Sequence, residues 1–126
     1  MPNRYYHGCG LLRNNILGAE FAYDIVVSGG LSKSDQNEPG IPLQSVEIYD
    51  STEHAWKNGP DLPNGPLYGH VVVQYSSDKI LSIGGHGQST FSANRNIYSL
   101  SKSGNSIEAK APQSKKLKKF NDQIFV

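Results

Sequence analysis

Two glycine pairs constrain the fold of this chain more than any other feature. Gly29-Gly30 and Gly84-Gly85 each end a β-rich run, and the second pair begins 55 residues after the first. Glycine is favoured where the backbone takes a positive φ or approaches a neighbouring strand closely. A repeat period near 50 residues is typical of architectures in which each unit buries its faces only against its neighbours. The chain is therefore predicted to consist of repeated β units.

The runs around the two diglycines predict the same order of strands twice. Short segments rich in Val, Ile and Tyr alternate with turn clusters, which indicates an antiparallel meander, and helical periodicity is almost absent. The strands predicted for the first unit are residues 7–12, 21–28, 45–49 and 54–57; those predicted for the second are 68–75, 79–83, 96–100 and 104–110. A polar loop, residues 31–44, separates the middle strands of the first unit and is expected to tolerate shortening.

The unit boundaries follow from aligning the repeats. We predict a first unit at residues 1–66, a second at 67–112 and the start of a third at 113–126, where Asp122 to Val126 aligns with Asp78 to Ser82. Both ends interrupt a repeat, so we expect a fragment whose open sheet faces need missing units or self-association to cover them. An irregular β-sandwich is the alternative fold.

Composition and charge exclude several classes of function. The net charge of +1 offers no basic surface for nucleic acid or an anionic membrane. The longest apolar runs are far shorter than the roughly 20 residues that span a bilayer. Cys9 is the only cysteine, so no internal disulfide can form, in keeping with the cytoplasmic location that we expect. The basic run Lys115 to Lys119 is interpreted as a solvated link between units rather than a nuclear-import segment.

No constellation in the sequence predicts catalysis, a metal or a cofactor. The four histidines lack convergent partners at the spacing of a zinc site, which needs about four N, S or O ligands. Neither a Gly-x-Ser-x-Gly elbow nor a phosphate-binding glycine loop is present. We therefore predict a protein that is not an enzyme.

Tyrosine and tryptophan positions complete a pattern that resembles the kelch repeat. That repeat has a diglycine ending its second strand, a Tyr in its third and a Trp about six residues further on; Gly29-Gly30, Tyr49 and Trp56 match it. The second unit keeps Gly84-Gly85 and Tyr98, with Ile107 expected in place of the Trp. The resemblance implies an all-β, partial kelch-type β-propeller with two four-stranded antiparallel blades and the start of a third. It gives these glycines and aromatic residues a structural role, with Tyr49 and Trp56 expected to be buried.

The resemblance also implies where a partner would bind. In kelch domains, the loops between the second and third strands gather with the inter-blade links on one face, and that face contacts a partner peptide or protein. The matching candidates are Arg4, Tyr5, Lys33, Asp35, Gln36, Tyr68, His86, Gln88, Ser89 and Arg95. The implied roles are substrate adaptor of a ubiquitin ligase or actin-binding protein. The alternative is a fragment of a copper oxidase propeller, which would need a Cys cross-linked to Tyr, a second Tyr and two His.

Overall fold

The computed structural model of the chain describes residues 3–14, 22–33, 35, 37–87, 97–103 and 106–111. Within these ranges the backbone forms ten β-strands and no helix, so no described segment is a helix long and apolar enough to cross a membrane. The strands are β1 (Gly8–Arg13), β2 (Tyr23–Ser28), β3 (Leu31–Ser32), β4 (Ile41–Pro42), β5 (Val46–Asp50), β6 (Ala55–Asn58), β7 (Val71–Ser76), β8 (Lys79–Ile83), β9 (Ile97–Ser103) and β10 (Ser106–Lys110).

Eight of the strands form two antiparallel sheets of four strands each. The first sheet has the order β1-β2-β5-β6 and the second has the order β7-β8-β9-β10, so each predicted unit contains one four-stranded sheet. This confirms the all-β class and the two four-stranded antiparallel units. The predicted start of a third unit, residues 113–126, lies outside the described residues.

A two-stranded hairpin, β3-β4, lies within the long polar loop and was not predicted. Leu31 pairs with Pro42, and Ser32 pairs with Ile41. Two further backbone hydrogen bonds hold Leu43, the residue that follows β4. Leu43 N donates to Gly30 O at 2.9 Å, and Leu67 N donates to Leu43 O at 3.1 Å. The ends of this loop are therefore structural, and only its tip is free to change.

The core lies between the two sheets, and two strand glycines allow the close approach. A Cβ on Gly10 would lie 2.9 Å from Cγ2 of Ile80, and a Cβ on Gly8 would collide with Val72. Glycine in a strand interior commonly marks such an approach of one backbone to a neighbouring element. The core residues around this contact are Leu12, Val26, Val46, Ile48, Leu62, Leu67, Ile80, Tyr98 and Leu100.

The strand register corrects the predicted alignment of the two tyrosines. Tyr49 lies opposite Ile25, whereas Tyr98 lies opposite Ser82, two residues closer to its own diglycine. The residue at the register of Tyr49 in the second sheet is Leu100, whose partner on β10 is Ala109. Ala109, and not the predicted Ile107, therefore occupies the register position of Trp56. A shift of two residues along a strand leaves a side chain on the same face of the sheet. Tyr49 and Tyr98 therefore lie on equivalent faces of the two sheets.

Candidate functional site: the diglycine surface

Each diglycine is held against the link that precedes its own sheet. Tyr5 and Leu31 exchange backbone hydrogen bonds of 3.0 and 2.7 Å, and Tyr68 and His86 exchange bonds of 2.9 and 2.8 Å. Leu31 and His86 are the residues that directly follow the two diglycines. The two repeats therefore build the same junction from different residues.

The second glycine of each pair lies where no side chain fits. Gly30 has a φ of 100°, and a Cβ there would lie 2.8 Å from the carbonyl oxygen of Tyr5. Gly85 has a φ of 87°, and a Cβ there would lie 2.8 Å from the carbonyl oxygen of Tyr68. Both requirements for glycine, a positive φ and a close backbone, are met at both positions. Gly30 and Gly85 occupy equivalent positions in the two repeats, and the backbone requires glycine at both for the same two reasons.

Hydrogen bonds between the repeats bring the two junctions onto one surface. Gly69 N donates to the carbonyl oxygen of Tyr6 at 2.9 Å, and Gly30 N donates to that of Leu67 at 2.8 Å. The links before the two sheets are therefore adjacent. We name the surface that they form the diglycine surface and define it by its accessible side chains: Tyr5, Tyr6, Lys33, Asp35, Tyr68 and His86.

The diglycine surface carries both aromatic rings and charges. The Lys33 ammonium lies 5.8 Å from the centre of the Tyr5 ring, within the range of a cation–π contact. The rings of Tyr68 and His86 lie 5.5 Å apart, and Tyr6 is 66% exposed. The carboxylate of Asp35 accepts a hydrogen bond from Asn37 N, which shapes the exposed tip of the loop. The surface therefore combines large, half-exposed rings with one charge of each sign.

Arg4, which we predicted to contact a partner, is instead a buried structural residue. Its side chain is only 1% exposed and pairs with Glu47 at 2.8 Å. The guanidinium also donates to the carbonyl oxygens of Gly29 and Ser45, at 2.9 and 3.2 Å. These bonds tie the first link to the end of β2, so the guanidinium is not available to a partner. Tyr6 was missed among the candidates, although an aromatic residue aligned with Gly69 is an unusual feature that the sequence shows.

Four predicted contact residues, Gln36, Gln88, Ser89 and Arg95, lie outside the described residues. Tyr5, Lys33, Asp35, Tyr68 and His86 are described, and all five belong to the diglycine surface by its definition. Tyr5 and Tyr68 are half-buried, while Lys33, Asp35 and His86 are exposed.

The aromatic pair of the first repeat lies on the outer face of its sheet. Tyr49 and Trp56 are paired across β5 and β6, with ring centres 5.4 Å apart in an edge-to-face arrangement. Trp56 is 40% exposed and Tyr49 is half-buried, so the predicted burial of these rings is wrong for Trp56 and only partly met for Tyr49. The physical reason is that the core forms on the opposite face of the first sheet, and β6 is an edge strand.

His70 connects the two sheets beneath the diglycine surface. The imidazole is buried, and its Nε2 lies 3.0 Å from the hydroxyl of Ser28. Burial, together with the nearby His7, lowers the pKa of His70 to about 4. The imidazole is therefore neutral at physiological pH and serves as a packed hydrogen-bonding group.

A cavity of about 490 Å³ opens between β5, β6 and the second sheet, lined in part by Asp24, Asp50, Lys57 and Lys102. Lys57 lies 2.8 Å from Asp50, and this ammonium, with hydrogen bonds from residues 52 and 53, holds the pKa of the Asp50 carboxyl far below its usual range. Both Asp50 oxygens are thus used in closing the turn that follows β5. No group of three metal-ligating side chains converges among the described residues.

Comparison with known families agrees with this geometry. Residues 12–63 match the family model described as Kelch motif, and the match contains Gly29-Gly30, Tyr49 and Trp56. The chain contains a kelch repeat. The second sheet repeats the strand order and the diglycine junction of the kelch repeat, so the two sheets are blades of a partial β-propeller. A comparison with curated proteins found no match.

Proposed function

We propose that this kelch-repeat chain is a protein-interaction module that binds a partner peptide or protein on the diglycine surface. The observation that carries the proposal is the hydrogen bond from Gly69 to Tyr6, because it joins the accessible side chains of both repeats into one continuous surface. A single loop offers few contacts, whereas adjacent loops from two repeats offer a surface that a peptide can follow.

The side chains of the diglycine surface suit protein recognition. Tyrosine supplies a large contact area and a hydroxyl with few rotatable bonds, and aromatic residues are enriched where interfaces bind most tightly. The backbone bonds at Tyr5 and Tyr68 fix both links before a partner arrives. Such preorganisation reduces the conformational entropy lost on binding.

The finer proposal concerns the kind of partner. A substrate adaptor of a ubiquitin ligase and an actin-binding protein are the two roles that we put forward, both in the cytoplasm and both without catalysis. Co-sedimentation with filamentous actin separates them, since an adaptor binds a degradation substrate and stays in the supernatant. Fluorescence microscopy of the tagged chain tests the location.

The binding surface is tested by selecting peptides from a displayed library on the immobilised chain and measuring their affinities by calorimetry. Tyr68→Ala and His86→Ala are expected to weaken binding about tenfold each, the effect of a residue central to an interface. Glu53→Ala is the matched control, because Glu53 is an exposed residue in the turn between β5 and β6. Peptides that lose affinity with Glu53→Ala but not with the other two variants would contradict the proposal.

A further inference from the structure

Both sheets have an apolar outer face that remains open in the described part of the chain. On the first sheet, Leu11, Tyr23 and Trp56 are 44%, 39% and 40% exposed. On the second sheet, Val71 and Val73 are 61% and 42% exposed. By contrast, the core residues between the sheets are buried almost completely. Contiguous exposed apolar residues of this kind mark interaction surfaces.

The strand register shows how the open faces relate to the face that is already packed. Gly8 of the first sheet and Val71 of the second each lie opposite the residue that precedes a diglycine. Gly8 faces the core, whereas Val71 faces outward. The outer face of the second sheet is therefore equivalent, in the alignment of the two repeats, to the inner face of the first sheet.

The converse holds for the other open face. Ile25 and Ile80 occupy equivalent positions, because each lies four residues before the first glycine of its pair. Ile80 is 1% exposed and packs between the sheets, whereas Ile25 lies on the outer face with Leu11 and Trp56. The outer face of the first sheet is thus equivalent to the side of the internal interface that the second sheet provides. The outer face of the second sheet is equivalent to the side that the first sheet provides.

The residues at the centre of the internal contact differ in size from those at the equivalent positions of the open faces. Inside the chain, the large Val72 packs where Gly8 and Gly10 leave space. At the open faces the sizes are reversed, since Cys9 takes the position of Val72 while Val71 and Val73 take the positions of the glycines. The smallest of these three residues, Cys9, therefore comes from the first sheet at the open faces, and the two larger ones come from the second sheet.

We propose that a second copy of this chain covers these faces, with the outer face of its first sheet packed on the outer face of the second sheet of its neighbour. This contact continues the established interface between the sheets with the same repeat positions. It is head-to-tail, so successive copies either close a ring or extend as a filament. Propellers close with about four to eight blades, so two to four copies of the two described blades make a closed ring.

The proposal is tested by measuring the solution mass of two charge variants, alone and mixed. Leu11→Glu blocks the first-sheet face and Val73→Glu blocks the second-sheet face, at positions exposed enough to accept a charge without disturbing the core. The unmodified chain is expected to form oligomers, and each variant alone a monomer. An equimolar mixture is expected to form a dimer, because one intact face of each kind remains. Asn64→Glu, which adds the same charge in a turn, is the control and keeps the oligomer.

Trp56 gives an independent readout, since it is the only tryptophan of the chain and lies on the first-sheet face. Its emission is expected at shorter wavelength in the unmodified chain and in the mixture than in either variant alone. Methyl resonances of Ile80 confirm that each variant is folded. A monomeric unmodified chain, a single variant that still self-associates, or a mixture that stays monomeric would overturn the proposal.

Discussion

The amide of Gly69 donates a hydrogen bond to the carbonyl oxygen of Tyr6, with 2.9 Å between nitrogen and oxygen. The two residues occupy equivalent places in the two repeats, and both have a positive φ, 66° for Gly69 and 55° for Tyr6. A left-handed conformation costs a residue other than glycine about 1–2 kcal/mol. Tyr6 takes that conformation with its ring in solvent, at the junction where the two repeats meet. This strain supports the proposal that a partner binds on the diglycine surface.

Substituting alanine for the two glycines of the second pair separates the conformational requirement from the steric one. Gly84→Ala is expected to lower the free energy of unfolding by about 1 kcal/mol, because φ is 71° and a Cβ would meet no atom within 4 Å. Gly85→Ala is expected to cost about 2–4 kcal/mol, because a Cβ would also lie 2.8 Å from the Tyr68 carbonyl oxygen. Urea unfolding at one chain concentration measures both. Equal costs would show that close approach plays no part.

Removing the buried guanidinium of Arg4 is expected to destabilise the first sheet. Arg4→Met leaves the carboxylate of Glu47 without its partner, and a broken buried ion pair costs about 3–5 kcal/mol. Glu47→Gln added to Arg4→Met is expected to recover part of the loss, since the amide carries no charge to desolvate. Thermal unfolding of the two variants gives the comparison. A loss below about 1 kcal/mol in Arg4→Met would show that Arg4 is not structural.

The buried imidazole of His70 predicts a loss of stability in mild acid. Its pKa is about 4 in the folded chain, below the ordinary value of 6.5, so the unfolded chain binds this proton at a higher pH. The stability that depends on neutral His70 is therefore complete above about pH 6.5 and is lost as the pH falls towards 4.

His70→Gln is the control for this pH dependence, because an amide can still bond the hydroxyl of Ser28 but does not titrate. The slope of the unfolding free energy between pH 6.5 and 4 is expected to be smaller in His70→Gln than in the unmodified chain. The other histidines are exposed and common to both proteins. Identical slopes would contradict the assignment.

The tip of the long loop is expected to be dispensable for folding. Replacing residues 33–40 with Asn-Gly connects Ser32 to Ile41, which already lie opposite each other, through a two-residue hairpin turn. The unfolding free energy should change by less than about 1 kcal/mol, while affinity for selected peptides falls because Lys33 and Asp35 are lost.

Gln44→Ala is the contrasting variant for the same loop. The side chain of Gln44 donates to the carbonyl oxygen of Leu62 at 2.8 Å, so its removal should cost about 1–2 kcal/mol. A collapse of the fold in the shortened chain, with Gln44→Ala harmless, would invert the roles assigned to the two parts of the loop.

The strands were predictable because local pattern and turn residues bound them. β8 was predicted with its observed bounds, since the turn at Ser77-Asp78 and the diglycine at Gly84 delimit the run. β3 and β4 were not predictable, because each is two residues long and one contains Pro42, which cannot donate to a ladder.

The side-chain environments were less predictable than the backbone. Arg4 is buried because Glu47, 43 residues away, pairs with it, and no local pattern reports such a contact. The offset of Tyr98 was hidden because a shift of two residues preserves the alternation of faces along a strand. The face of the first sheet that packs in the core is the one with Gly8 and Gly10. These glycines allow Val72 and Ile80 of the second sheet to approach, and the sequence of the first repeat does not show this contact.

The packing of one repeat on the next is tested most directly by nuclear Overhauser contacts in the methyl-labelled chain. The position of a Cβ on Gly10 lies 2.9 Å from Cγ2 of Ile80, so the α protons of Gly10 should give strong contacts to the Ile80 methyl groups. Contacts from Gly10 to the methyl groups of Val73, in place of those of Ile80, would place the opposite face of the second sheet in the core and contradict the account.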